Sequence, residues 1–132
     1  MRLPAEKISI LVVDDHAGVR EGIRDVINAQ PDMAVVGEAT NGPEAIRQFK
    51  KLLPNVTLTD VNLPVICGIE AMALIRVEFP QARFIVISAL NDDDRIHQAF
   101  AAGAQAFLHK DALRRELLPA IRAVHSGQRY VP

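Results

Sequence analysis

Short apolar runs alternate along this chain with longer stretches that carry apolar residues at helical spacing. The runs are Ile8-Ser9-Ile10-Leu11-Val12-Val13, Val56-Thr57-Leu58-Thr59, Phe84-Ile85-Val86-Ile87 and Ala106-Phe107-Leu108, each rich in β-branched or aromatic residues as buried strands are. Met33 to Glu38 reads as a further strand, second in chain order. A first helix is expected over Ala17 to Ala29, with Val19, Ile23, Val26 and Ile27 as its stripe and Pro31 as its stop. Asn41-Gly42 reads as a turn, and Pro43 suits the first position of a helix that carries Ile46, Phe49 and Leu53 inward until Pro54 closes it. Pro64 to Gly68 reads as a loop, and Ile69 to Glu78 as a helix with Met72, Leu74 and Ile75 among its apolar positions. The acidic cluster Asp92-Asp93-Asp94 suits a helix N-terminus, where carboxylates meet unpaired amides, and that helix should end near Gly103. The last helix, Ala112 to Ser126, should bury Leu113, Leu117, Ile121 and Val124 with Asp111 as its cap and Gly127 as its stop. Pro119 predicts a kink there, or a helix regular only from that point, because an interior proline costs about 3 kcal/mol.

Strands that alternate with helices imply right-handed crossovers and a parallel sheet, so all strands present their carboxyl ends on one edge. Ligands bind at that edge in open α/β sheets. Asp14-Asp15, Asp60, Ser88 and Lys110 each stand where one of the apolar runs ends, so one composite site should gather them.

Composition narrows what such a site serves. The chain has 132 residues, the size of one domain, with 49% hydrophobic and 23% charged residues, which argues against disorder. A formal charge of -1 lacks the basic excess of a nucleic-acid-binding surface. Cys67 is the single cysteine, so an internal disulfide is excluded. No apolar stretch approaches the roughly 20 residues that span a bilayer, and the first residues are too polar for a signal peptide, so a cytoplasmic protein without membrane contact is expected.

Three carboxylates on one edge repel each other and call for a cation. Hard oxygen ligands suit Mg2+, whereas His16, His97, His109 and His125 show no zinc-like spacing. With Lys110 and a divalent ion the site approaches neutrality and can admit a dianion. Asp60 is the candidate nucleophile, since it ends the third strand and carboxylate-to-acyl-phosphate chemistry is an established covalent route.

These motifs resemble the receiver domain of bacterial two-component response regulators. The resemblance runs from about Ile8 to Ser126 and rests on Val12-Val13-Asp14-Asp15-His16, Asp60-Val61-Asn62-Leu63-Pro64 with Gly68, Ile87-Ser88-Ala89, and Gly103-Ala104 leading to Phe107-Leu108-His109-Lys110. It implies a flavodoxin-like (βα)5 fold, with a five-stranded parallel sheet in the order 2-1-3-4-5 and helices on both faces. It also implies that Asp60 is the phosphoacceptor, and that Asp14, Asp15, Asp60 and the backbone carbonyl of Asn62 hold Mg2+. Ser88 and Lys110 are then the phosphoryl-sensing groups and Phe107 the aromatic switch. Such a domain catalyses only its own phosphorylation and dephosphorylation, takes the phosphoryl group from a sensor histidine kinase, and can form a phosphorylation-dependent homodimer.

The stretches His109-Lys110-Asp111 and His125-Ser126-Gly127-Gln128-Arg129-Tyr130 look like the NarL/FixJ-type subgroup, whose members usually continue into a helix-turn-helix DNA-binding domain. Residues 1–7 then form a tail, 8–126 the receiver, and 127–132 the start of a linker, with no DNA binding by these residues alone. Asp111 stands where many receivers carry proline, which removes the usual reason for a cis peptide. Val65 and Ile66 put adjacent apolar residues in the loop after Asp60, one to anchor it and the other open to a partner.

Three other readings compete. A haloacid-dehalogenase-like phosphatase wants an acid two positions after its nucleophile, where this chain has Asn62. A flavodoxin-like FMN carrier wants Ser, Thr and Gly in the first loop, where Asp14-Asp15-His16 stands. A degenerate receiver would signal by protein contacts alone, yet all the expected side chains are present.

Overall fold

The alternation of strand and helix holds throughout the computed structural model, which describes residues 7–90 and 93–130. In chain order the elements are β1 (Ile8–Val13), α1 (Ala17–Asn28), β2 (Met33–Ala39), α2 (Gly42–Leu52), β3 (Val56–Asp60), α3 (Gly68–Glu78), β4 (Phe84–Ser88), α4 (Asp93–Ala101), β5 (Ala106–His109) and α5 (Leu113–His125). A 3-10 turn, Lys110–Ala112, joins the last strand to the last helix. The strands form one five-stranded parallel sheet in the order β2-β1-β3-β4-β5. Its register sets Val13 beside Thr59, Asp60 beside Ile87, and Ser88 beside His109. Neighbouring strands therefore end almost level, which brings the residues that follow them together.

Period-two alternation divides the core into two layers. Ile10, Val12, Leu58, Ile85, Ile87 and Leu108 pack with α1 and α5, while Leu11, Val13, Phe84, Val86 and Phe107 pack with α2, α3 and α4. The second layer is richer in aromatics, with the Phe49 ring centroid 5.2 Å from Phe79 and 6.1 Å from Phe84. Among the described residues no helix is long and apolar enough to cross a membrane.

Several local expectations differ from the structure. Leu53 is not inward but 58% exposed, because it sits past the end of α2 with φ 46°, and Leu52 packs on the core in its place. Leu74 lies on the outer face of α3, where Ala71, Met72 and Ile75 already fill the buried side. Asp111 does not cap α5: the helix begins two residues later at Leu113, and the Asp111 amide instead donates to His109 Nδ1 at 3.1 Å. α5 runs unbroken through Pro119, since proline removes only the amide bond to Arg115 and both residues lie on the exposed side, where that carbonyl is open to solvent. The acidic cluster does open α4 with Asp93 and Asp94, while Asp92 lies outside the described residues.

The end of α5 is closed by a pair of reversed bonds, Gly127 N–H to Val124 O at 3.0 Å and Gln128 N–H to Ala123 O at 2.9 Å, with Gly127 at φ 90°. From there the segment read as the start of a linker folds back on the sheet. Tyr130 bridges Ala106 in parallel, its amide donates to Gln105 O at 2.9 Å, and its hydroxyl lies 3.2 Å from Glu116 Oε1.

Candidate functional site

Asp14 and Asp60 are carboxylates at strand ends, each only 2% exposed, and burying them demands partners. Lys110 supplies one: its Nζ lies 3.0 Å from Asp60 Oδ2 and 3.3 Å from Asp14 Oδ2. Backbone groups supply the rest. The Asn62 amide donates to Asp60 Oδ1 at 3.1 Å, and the His16 amide donates to Asp14 Oδ1 at 2.8 Å. Separately, the Thr59 hydroxyl donates to the main-chain carbonyl of Asp60 at 3.1 Å. Arg20 reaches from α1 to the Asp14 carbonyl at 2.8 Å and also pairs with Glu38.

Asp15 is more exposed and stands at the rim. Asp14, Asp15, His16 and Asp60 each bring one ligand atom within 4.8 Å of all the others. His16 was not assigned a role from the sequence, yet its Nδ1 lies 2.9 Å from Asp14 Oδ1 and 3.1 Å from Asp15 Oδ1. Its adjacency to the acid pair was the available signal. The donor set is dominated by hard carboxylate oxygens with the Asn62 backbone beside them, which fits a hydrated, oxygen-preferring divalent cation such as Mg2+.

Burial pushes the Asp60 carboxyl above its usual range, and the Lys110 hydrogen bond and the Asn62 amide offset that only in part. At Lys110 desolvation pulls the ammonium down, but the hydrogen bond and charge of Asp60 together with the charge of Asp14 outweigh it, so the group is raised. The contact favours the charged form at both ends, and desolvation outweighs it only at Asp60, whose side chain is 2% exposed against 20% for Lys110. The ammonium keeps part of its hydration, and the carboxylate does not.

Ser88 is fully buried at the end of β4, where its Oγ accepts the Leu90 amide at 3.0 Å and retains an O–H that can donate. Phe107 is 1% exposed and packs in the aromatic layer beneath the site. The loop after Asp60 resolves the Val65-Ile66 pair: Ile66 is half-buried, and Val65 is 85% exposed. Val65 also stands at φ 72° between Pro64 O and the Ile66 amide, which bond at 2.9 Å across it, a strained γ-turn for a β-branched residue. Gly68 lets this loop close, since a Cβ there would collide with the Asp60 carbonyl oxygen.

Comparison with known proteins agrees with this architecture. The profile of the response regulator receiver domain matches residues 10–122. The uncharacterized transcriptional regulatory protein YxjL of Bacillus subtilis is 40% identical over 123 residues, covering 93% of this chain and 56% of its own length. Nitrate/nitrite response regulator NarL of Escherichia coli K12 is 34% identical over 123 residues, 93% of this chain and 57% of its own. The chain thus spans little more than half the length of these curated relatives. Among solved structures, a LuxR-family two-component response regulator from Aurantimonas sp. SI85-9A1 superposes with a TM-score of 0.91 at 35% identity, covering 96% of this chain and 90% of that one. The response regulator domain of Thermotoga maritima CheB gives 0.86 at 36% identity, covering 92% and 98%. With the matched fold, the level strand ends and the acid cluster at their edge, this chain belongs to the response regulator receiver domain family, in its NarL-type subgroup.

Proposed function

We propose that Asp60 is the phosphoacceptor of this receiver and that the surrounding side chains time and read its phosphorylation. The observation that carries this is the Asp60 carboxylate, buried and held by the Asn62 amide on one oxygen and by Lys110 on the other, with Asp14 beside it. A carboxylate oxygen attacks phosphorus as the P–N bond of a histidine kinase's phosphohistidine breaks, and the departing imidazole takes up a proton. An aspartyl phosphate results. Asp14, Asp15, Asp60 and the Asn62 carbonyl would hold Mg2+, which when bound neutralises the site's negative charge and so favours an approaching phosphoryl dianion. Lys110, 3.0 Å from Asp60 Oδ2, would follow the transferred oxygens, and the Ser88 hydroxyl would donate to them. Phe107, packed below, would repack as those groups move.

The domain acts as a regulator that modifies only itself, in the cytoplasm. Its relatives' names as transcriptional regulators support an output in transcription, delivered by a helix-turn-helix domain beyond the residues described, with a phosphorylation-dependent homodimer as the intermediate step. Mass spectrometry after incubation with acetyl phosphate tests the central claim. Wild type with Mg2+ should gain one phosphoryl group, and EDTA or Asp60→Asn should abolish the gain. An unchanged increment in Asp60→Asn would remove Asp60 from the role.

A further inference from the structure

The loop that carries Asp60 into α3 is held from three sides. Gly68 presses against the Asp60 carbonyl and donates its amide to Val61 O at 2.8 Å. Gly42, at the start of α2, lies against Ile66, where a Cβ would meet the Ile66 carbonyl oxygen at 2.7 Å. The third hold is a side chain from α4: Arg95 Nη1 donates to Asn62 Oδ1 at 3.1 Å. A loop with a β-branched residue at positive φ keeps its shape only while its surroundings over-determine it.

Two hydrogen bonds therefore join α4 to the Asp60 carboxylate, since the same Asn62 that accepts from Arg95 donates its amide to Asp60 Oδ1. Asn62 and Arg95 both line a cleft between α3 and α4, together with Val61, Ile69 and Ala73. Asn62 thus has two separable parts. Its backbone faces Asp60, and its side chain faces α4.

We infer that Arg95 is a positioning residue of the phosphorylation site, which acts through the Asn62 side chain to hold the loop over Asp60 and so lengthens the life of the aspartyl phosphate. The inference rests on the phosphoacceptor reading of Asp60. A loop free of Arg95 samples more open positions, which loosens the Asn62 amide on Asp60 and admits water to the acyl phosphate. By reciprocity, a phosphoryl group that tightens the loop also biases where α4 sits.

The test follows aspartyl phosphate decay after removal of acetyl phosphate in wild type, Arg95→Ala, Arg95→Lys, Asn62→Ala and the double variant Arg95→Ala/Asn62→Ala. Asn62→Ala keeps the backbone groups near Asp60 and deletes only the partner of Arg95. Arg95→Ala should shorten the half-life at least about threefold, and Arg95→Lys, which can still donate to Oδ1, should restore most of it. Asn62→Ala should match Arg95→Ala, and the double variant should add nothing further. Amide exchange across residues 61–68 should rise in the single variants while that of α5 stays unchanged. A wild-type half-life in Arg95→Ala, or additive losses in the double variant, overturns the inference while leaving Asp60 in place. A wild type that takes no phosphoryl group overturns the phosphoacceptor reading, and this inference with it.

Discussion

Helices α4 and α5 follow the two strands that deliver Ser88 and Lys110, yet the molecule holds them very differently. α5 buries Leu117, Ala120, Ile121 and Val124 against the sheet, and residues 128–130 lie back over the neighbouring β5 edge. α4 buries Ala99 alone, with Ile96 and Phe100 half-covered beside it. A fully buried aliphatic side chain is worth about 1.5–3 kcal/mol and a methyl about 0.8 kcal/mol, so the difference between the two helices amounts to several kcal/mol. Local opening follows such burial. If a phosphoryl group at Asp60 pulls on both elements through Ser88 and Lys110, the smaller buried area of α4 makes it the cheaper of the two to displace.

The largest expected effect is on stability. Ile121→Ala in α5 should cost about 2–5 kcal/mol in urea unfolding, since the side chain is fully buried. Ile96→Ala in α4 should cost only about 1 kcal/mol, in proportion to its partial burial. Equal costs would erase the contrast between the helices.

Hydrogen exchange sharpens the same point without mutation. Amides of α4 should exchange at least about tenfold faster than those of α5, and beryllofluoride with Mg2+ should protect α4 more. Uniform protection of both would mean that α4 is anchored by something other than its buried area.

The site between them has its own pH signature. Burial holds the Asp60 carboxyl above its ordinary value despite Lys110 and the Asn62 amide. Its charge therefore costs stability at neutral pH, and the cost is relieved as pH falls through the folded value to about 3.9, where the unfolded chain titrates. Without added metal, Asp60→Asn should melt above wild type at pH 7, and the gap should close below about pH 4. A variant that melts lower at pH 7 would show that the Lys110 pair outweighs burial.

The smallest effect concerns the segment behind α5. Tyr130→Phe removes the hydroxyl contact with Glu116 and should cost about 0.5–1 kcal/mol, read by thermal melting. No change would leave the backbone bridge to Ala106 as the whole of that attachment.

Much of this was legible beforehand, and the reasons differ by residue. The strands and helices showed because periods of two and of three to four residues are local, and a turn such as Asn41-Gly42-Pro43 carries its own chemistry: Asn41 Oδ1 accepts the Glu44 amide at 2.8 Å. Leu53 and Leu74 misled because apolar character does not say which side of a helix end a residue falls on. Asp111 misled because it falls inside the short 3-10 turn Lys110–Ala112, two residues before α5, where its own amide donates to His109 Nδ1. Arg95 gave no signal at all, since its partner lies thirty-three positions away.

The sequence by itself determined that strand ends would collect Asp14, Asp15, Asp60, Ser88 and Lys110 on one edge, because parallel connection forces that whatever the strand order. The order itself came with the family resemblance, as no local spacing distinguishes one arrangement of buried strands from another. Only the tertiary structure decided that Asp14 and Asp60 share one ammonium, that His16 lies across the acid pair, and that Arg95 holds the loop beside Asp60. Each of those depends on register and helix placement to within an ångström or so, and hydrogen bonds are made or lost on that scale while hydrophobic patterns are not.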